Sequence, residues 1–280
     1  MASTSIRPPF GGGVASGTSA GTIRARKAGF LADAWSVALR ALRALPREPE
    51  MVIPSLVIPI FFFAVNIGSL EDFAQRGIPG LDYRAFQLPT AIVFAVTGVS
   101  RAQALVTDIQ SGYFDRLLMT PMRRLALLLG LMVADLALVI ALSVPVLLLG
   151  FLVGVRFDTG IGGGLLFLAL TGLWGLAFTG FPYAIALKTG SPGAVGASFL
   201  IFFPFAFLTT STLPKEALTG WLSTIATYNP MTYLLSALRS LLYGGWQGRP
   251  LLEGSAAILV VGAISIGLAL AALQGRVARG

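Results

Sequence analysis

Among the 280 residues, the side chains able to do chemistry are few, and several stand where a soluble protein would not put them. Asp135 lies inside a long apolar block, roughly 15 Å from the nearer end of that block if it is helical. A charge at that depth is costly and is normally paired or turned toward a polar cavity. Arg101 stands near the end of the preceding apolar block, where its long stem can snorkel. An Arg101–Asp135 bridge fixing one block to the next is the preferred reading. Snorkelling of Arg101 with Asp135 satisfied separately stays open, as does a proton relay through Asp135. Arg239, central in a shorter apolar piece, needs a partner if buried, and Glu216 is one candidate.

Other chemistries are excluded by composition. Cysteine and histidine are both absent, which removes disulfides, thiolate or imidazole metal sites, and nucleophile–histidine pairs. No cluster of acids, bases or metal ligands falls in an apolar block, so a membrane enzyme is disfavoured. The net charge of +8 does not point to nucleic acid, because the basic residues flank apolar blocks. That placement suits membrane orientation and anionic lipid.

The elements that must position these residues belong to a bilayer. The chain is 55% hydrophobic and only 11% charged, with mean hydropathy +0.82, against roughly 25% charged in soluble domains. Its apolar residues come in blocks of about 20, the length that crosses roughly 30 Å of hydrocarbon as a helix. The expected fold is an all-α polytopic membrane protein with six transmembrane helices, near 51–70, 88–107, 125–151, 162–186, 193–213 and 254–273. Kinks are expected at Pro54, Pro59 and Pro182, since a bundle can re-satisfy the freed backbone groups.

Residues 1–28 read as a disordered tail rich in Gly, Ser, Thr and Ala. No apolar stretch there suits a secretory signal; a transit peptide also fits Arg7, Arg24 and Arg26. Over 29–45, Leu31, Trp35, Ala38, Leu42 and Leu45 line one helical face and Asp33, Ser36, Arg40 and Arg43 the other. This predicts an amphipathic helix in the membrane interface, ended by Pro46 and Pro49. Residues 29–280 then form one transmembrane domain.

Basic residues cluster in the N-terminal segment, in the second-to-third connection (Arg116, Arg123, Arg124), at Lys188, and at Arg276 and Arg279. With six spans these fall on one side, which places both termini in the cytoplasm of a multi-pass cell-membrane protein. Residues 214–246 are too apolar for a plain loop. Asn229-Pro230 divides them into Lys215–Tyr228 and Met231–Tyr243, each about 20 Å as a helix and too short to cross. They read as a re-entrant pair dipping from the outer side, with its turn at Asn229-Pro230; two extra spans would also keep both termini inside.

The most informative stretch is Asp108-Ile-Gln-Ser-Gly-Tyr-Phe-Asp-Arg-Leu-Leu-Met-Thr-Pro-Met-Arg-Arg. A ridge of Tyr113, Phe114, Leu117 and Leu118 with flanking charges suits a groove in a soluble partner, or a loop whose aromatics face lipid. Its pattern of an acid, a short gap, Gly-(Tyr/Thr)-(Phe/Leu)-(Asp/Glu)-Arg-Leu-Leu, a variable pair, Pro and a basic residue resembles the signature of type-2 ATP-binding-cassette exporter permeases, above all the daunorubicin-resistance branch. Asp108, Gly112, Tyr113, Phe114, Asp115, Arg116, Leu117, Leu118, Pro121 and Arg123 carry the match. A second resemblance is Asn229-Pro230-Met231-Thr232-Tyr233 followed by Ala237-Leu238-Arg239, preceded by Leu213-Pro214 and Trp221. Together they cover nearly the whole chain after residue 28.

The resemblance implies a permease that binds no cofactor itself, and no Gly-x-x-x-x-Gly-Lys-Ser/Thr phosphate cradle occurs in the sequence. ATP and Mg would be held by two cytoplasmic ATP-binding-cassette ATPase subunits, with segment 108–121 as the coupling helix and a second permease copy, identical or homologous, completing the path. Membrane lipids are the remaining partners. In the fifth span, Phe199, Phe202, Phe203, Phe205 and Phe207 offer an aromatic wall for an amphiphile, and Thr209 and Thr210 lie at the outer exit. Ordinary packing is the plainer account of the phenylalanines. The implied function is export of a drug, lipid or glycolipid. Alternatives are an ion- or proton-coupled secondary transporter resting on Asp135, which would show inverted repeats and discontinuous helices, and a polysaccharide exporter.

Overall fold

A computed structural model describes residues 35, 36, 39, 40, 43, 49–97, 99–118 and 124–278. Among them the regular structure is entirely helical, as expected for a bilayer, where a helix satisfies its own backbone. The helices are α1 (Pro49–Gly77), α2 (Tyr83–Val96), α3 (Ala102–Gln110), α4 (Tyr113–Leu118), α5 (Arg124–Leu152), α6 (Gly160–Thr189), α7 (Pro192–Phe207), α8 (Gly220–Tyr228), α9 (Pro230–Arg239) and α10 (Gly248–Val277). Among the described residues, four stretches are long and apolar enough to cross a membrane: Ile53–Gly77, Leu128–Leu152, Gly160–Thr189 and Gly248–Arg276. The protein is membrane-embedded and polytopic. Large apolar side chains face outward on these helices, among them Phe61 on α1, Leu148 on α5 and Leu259 on α10.

Small residues set the centre of the bundle. α6 and α10 run against each other along much of their length. At Gly180 a Cβ would sit 2.4 Å from the backbone carbon of Ser265, so only glycine permits this approach. The Ser265 hydroxyl uses the closeness, donating across the gap to the Ala177 carbonyl. α5 packs on α6, and α2 on α5 and α1.

The bundle has two distinguishable ends. At one, the Gln110 amide donates to the Gly190 carbonyl at 3.0 Å, and Arg276 sits over the Phe114 ring at 6.0 Å. This end gathers α3, α4 and the C-termini of α6 and α10. At the other, Arg84 pairs with Glu71 at 2.9 Å and donates to the Val153 carbonyl at 3.2 Å, tying α2 to the ends of α1 and α5.

Several boundaries differ from the sequence reading. The expected second span, 88–107, is two helices, one ending at Val96 and the next starting at Ala102, with Thr97 and residues 99–101 outside both. The first span runs from Pro49 and the sixth from Gly248, both longer than expected, because polar end residues continue the helix beyond the apolar block. The fifth stops at Phe207; Leu208–Leu213 leave the helix. The segment expected as a helix over Lys215–Tyr228 is a 3-10 turn, Lys215–Ala217, then α8 from Gly220. The one expected over Met231–Tyr243 is α9, continued by a π turn at Ser240–Gly244. Of the interface helix at 29–45, residues 35, 36, 39, 40 and 43 are helical. The rest, the tail 1–28 and residues 119–121 of the expected coupling segment lie outside the described residues.

Candidate functional site

The break in the second apolar block is the centre of the site. In the sequence, a glycine stands between β-branched Thr97 and Val99, a run that favours leaving the helix. Thr97 is extended, with φ −79° and ψ 130°. Broken helices free backbone groups that lipid cannot satisfy, so neighbouring helices must. Asp135 of α5 does this: its Oδ1 accepts the Arg101 backbone N–H at 3.1 Å. Ser100 Oγ accepts the Ala102 N–H at 3.0 Å. From α6, Trp174 Nε1 donates to Thr97 Oγ1 at 2.8 Å, and that hydroxyl in turn donates to the Val93 carbonyl.

Arg101 and Asp135 are thus brought together, with the backbone N–H of Arg101 on the Asp135 carboxylate. The Arg101 charge and the Tyr183 hydroxyl also lie within electrostatic reach of the Asp135 carboxylate. All three residues are buried; Asp135 and Tyr183 have no exposed surface. Sequence reasoning missed Thr97, Trp174 and Tyr183. A tryptophan within an apolar block, away from the interface where tryptophan usually sits, was the available signal.

A cavity of about 350 Å³ opens at this break. Thr97, Ser100 and Gln103 give it a polar side, Pro54, Pro59 and Phe62 of α1 a second wall, and Phe202, Phe203 and Phe207 of α7 a third. Its rings pack edge to face: Phe94 lies 5.3 Å from Phe207 and 6.4 Å from Phe202 between centroids, and Phe62 6.3 Å from Phe207. Of the wall expected in the fifth span, three rings therefore meet in this cavity. Phe205 turns to a different groove, because it lies on another face of the same helix. The side chain of Phe199 is outside the described residues.

The two threonines expected at an exit are not lining this cavity. Thr209 Oγ1 closes on the Ala206 carbonyl at 2.7 Å. Thr210 is a buried partner of Arg239, receiving Nη1 at its hydroxyl (3.0 Å) and Nη2 at its carbonyl (2.8 Å). Arg239 also donates from Nε to the Phe86 carbonyl (3.1 Å) and from Nη2 to Thr90 Oγ1 (3.2 Å), and lies 3.5 Å over the Phe86 ring. Glu216, expected as its partner, is exposed and does not pair with it. Neutral oxygens hold this cation because the planar fork offers five donors that carbonyls and hydroxyls can fill.

Asn229 fixes the turn between α8 and α9. Its Oδ1 accepts the Met231 N–H at 3.0 Å, with Pro230 at the first helical position. Its Nδ2 donates to the Phe205 and Leu208 carbonyls at 2.7 and 2.9 Å. These are acceptors at the end of α7 that have no helical partner. Tyr233 Oη reaches back to the Thr227 carbonyl at 2.7 Å. Thus Asn229, Pro230, Tyr233 and Arg239 form a brace from the turn to α2 and the end of α7.

The segment expected to couple to an ATPase sits at the end of the bundle that holds Arg276. Gly112, with φ +71°, turns the chain from α3 into α4, a conformation that favours glycine. The expected ridge is divided. Phe114 turns inward and is 2% exposed, packed among Leu105, Ile109, Leu187 and Leu273. Tyr113 stays on the surface under the Arg40 guanidinium, 4.9 Å from its ring. Arg40 also pairs with Asp108 at 3.0 Å, joining the N-terminal helical residues to the segment. Arg116 is exposed, while the side chains of Asp115, Leu117 and Leu118 lie outside the described residues. Short periodicity could not tell an inward anchor from an outward ridge, since Tyr113 and Phe114 are adjacent.

Comparison with known proteins agrees with the motifs. The family model described as ABC-2 type transporter matches residues 33–243. The chain is 30% identical over 215 residues to the daunorubicin resistance ABC transporter permease protein DrrB1 of Streptomyces coeruleorubidus, covering 73% of each chain. It is 24% identical over 243 residues to the probable doxorubicin resistance ABC transporter permease protein DrrC of Mycobacterium tuberculosis, covering 85% of this chain and 88% of that one.

Proposed function

The chain belongs to the ABC-2 type transporter family, and from that premise we propose that it forms the membrane path by which hydrophobic or amphiphilic molecules, drugs among them, are exported. It is a transmembrane permease subunit of an ATP-driven exporter, working with ATP-binding-cassette ATPase subunits. The observation that carries the substrate reading is the cavity at the break of the second span, with aromatic rings facing the polar Thr97, Ser100 and Gln103. An amphiphile with a flat apolar body and one polar edge matches both sides. The resistance permeases among its relatives support a drug as that molecule.

Six crossings fit this reading: α1, α2 with α3, α5, α6, α7 and α10, with α8 and α9 dipping in and returning on the outer side. The basic residues Lys188 and Arg276 share an end with α4, which supports a cytoplasmic face there, cytoplasmic termini and a plasma-membrane location. Two ATPase subunits hold ATP and Mg and dock at Asp108, Gly112, Tyr113, Phe114, Asp115, Arg116, Leu117 and Leu118. The chain itself hydrolyses nothing. A second permease copy completes the path, and nucleotide-driven closure of the ATPases moves α3 and α4 beneath the break.

The break and the buried Asp135 also suit ion coupling, where discontinuous helices line the site. One experiment separates the readings: purify the chain in mild detergent, identify stoichiometric partners by mass spectrometry, and assay transport of a fluorescent aromatic amphiphile in liposomes. Recovery of an ATPase, lost on charge reversal at Asp115 and Arg116, with ATP-dependent transport, supports export. Absence of an ATPase, with movement that follows a proton gradient and fails in Asp135→Asn, overturns it.

A further inference from the structure

Beyond the export path, a larger groove of about 780 Å³ runs between α6, α7 and α10 and ends at Pro230, the turn of the α8–α9 pair. We infer that it holds an anionic phospholipid, with its headgroup phosphate at Lys188 and an acyl chain laid along the helices. The walls are apolar, among them Phe178, Ile185, Phe205, Ile264 and Leu268. Among the described residues, Lys188 is the single charged one lining it, beside Thr189 at the end where α6 terminates. No described carboxylate pairs with Lys188. An exposed ammonium at the mouth of an apolar groove is matched by a ligand that carries one anionic group and a long hydrocarbon body.

Dimensions suit a lipid. From Val261 to Gly275, α10 rises about 21 Å, room for an acyl chain that fills roughly 15 Å of one leaflet's hydrocarbon. The volume of the groove lies within the roughly 300–1,000 Å³ of small-ligand sites. The leaflet at Lys188 is the cytoplasmic one under the orientation proposed above, the leaflet in which anionic lipids draw basic residues. A bound lipid also has structural work there. Ser198 and Phe202 line both this groove and the cavity at the break, so α7 is the partition between them, and a lipid braces it from the side away from α1.

The test uses the full chain with its ATPase subunits in nanodiscs of phosphatidylcholine, alone or mixed with phosphatidylglycerol. Native mass spectrometry then counts the lipids retained on the complex. Expected is retention of phosphatidylglycerol in preference to phosphatidylcholine by about tenfold, the ratio that 1.4 kcal/mol gives. Lys188→Gln should bring the ratio near one, Ala271→Trp should displace both lipids by filling the groove, and Lys215→Gln at the other end should change neither. A photocrosslinker at Ile264 should label lipid. Equal retention of both lipids unaffected by Lys188→Gln, or crosslinking from Ile264 to a second permease, would overturn the assignment. None of these readouts depends on transport, so they stand or fall apart from the exported substrate.

Discussion

Asp135 Oδ1 accepts the backbone N–H of Arg101 at 3.1 Å, so an acid at the centre of α5 serves as the N-terminal cap of α3 in another span. A cap normally comes from the residue that opens the helix. Here the break is held from outside, which couples the position of α3 to α5. An acid in the middle of a span therefore has a structural task besides any chemistry.

Asp135→Asn should keep most transport, because an amide carbonyl can still accept the Arg101 N–H. Asp135→Leu leaves that buried donor unsatisfied at about 1–3 kcal/mol, and should lower thermal stability in detergent and ATP-dependent transport more than Asn does. If Asn and Leu abolish transport equally while both fold, the capping role is wrong and the charge itself is required.

Arg239→Lys should behave almost as badly as Arg239→Leu. A lysine has three donors on one atom and cannot span Phe86, Thr90 and Thr210 as the fork does. Bonds to a charged group contribute about 1.5–3 kcal/mol each, so loss of several should appear as poor yield and early aggregation in a size-exclusion thermal ramp. A lysine variant with the wild-type melting profile would contradict the role of the fork.

Gly112→Ala forces a side chain to adopt φ +71°, at about 1–2 kcal/mol. Folding should survive, since nothing lies within 4 Å of the added Cβ. The angle between α3 and α4 should change, so ATPase binding or stimulation by substrate should fall while the permease remains monodisperse. Unaltered co-purification and unaltered stimulation would show that the angle does not matter.

Phe202→Ala should weaken transport of planar aromatic substrates most. Aromatic contacts contribute about 0.5–1.5 kcal/mol beyond area, which corresponds to roughly two- to tenfold in the concentration giving half-maximal transport. Thr209→Val should leave that concentration unchanged, since its hydroxyl is spent on the Ala206 carbonyl. A reversal of the two results would move the path away from the cavity at the break.

Gly180→Val should separate α6 from α10, because the new atoms meet the Ser265 backbone, which cannot swing aside. Overpacking of this kind costs about 1–3 kcal/mol. The readout is faster proteolysis in detergent, and wild-type resistance would contradict the close approach.

What the sequence determined by itself is what a bilayer reads from a linear chain: the apolar blocks, the basic residues beside them, the absence of Cys and His, and the two motifs around Gly112 and Asn229. Each of these depends on residue type and near neighbours. Asn229-Pro230 is the clearest case, since a capping side chain followed by proline starts a helix in any context. The tertiary structure decided what hydropathy cannot distinguish. Thr97–Arg101 reads as part of an apolar block, yet the chain leaves the helix there because Trp174 and Asp135, far away in sequence, supply the bonds that the break requires. Arg239 is met by Phe86, Thr90 and Thr210 rather than by an acid, and Phe114 anchors inward where its neighbour Tyr113 faces out. Hydrophobicity sets which residues leave water, but in a membrane apolar lipid and apolar protein compete on nearly equal terms. Only close packing and buried hydrogen bonds, made between residues distant along the chain, choose between them.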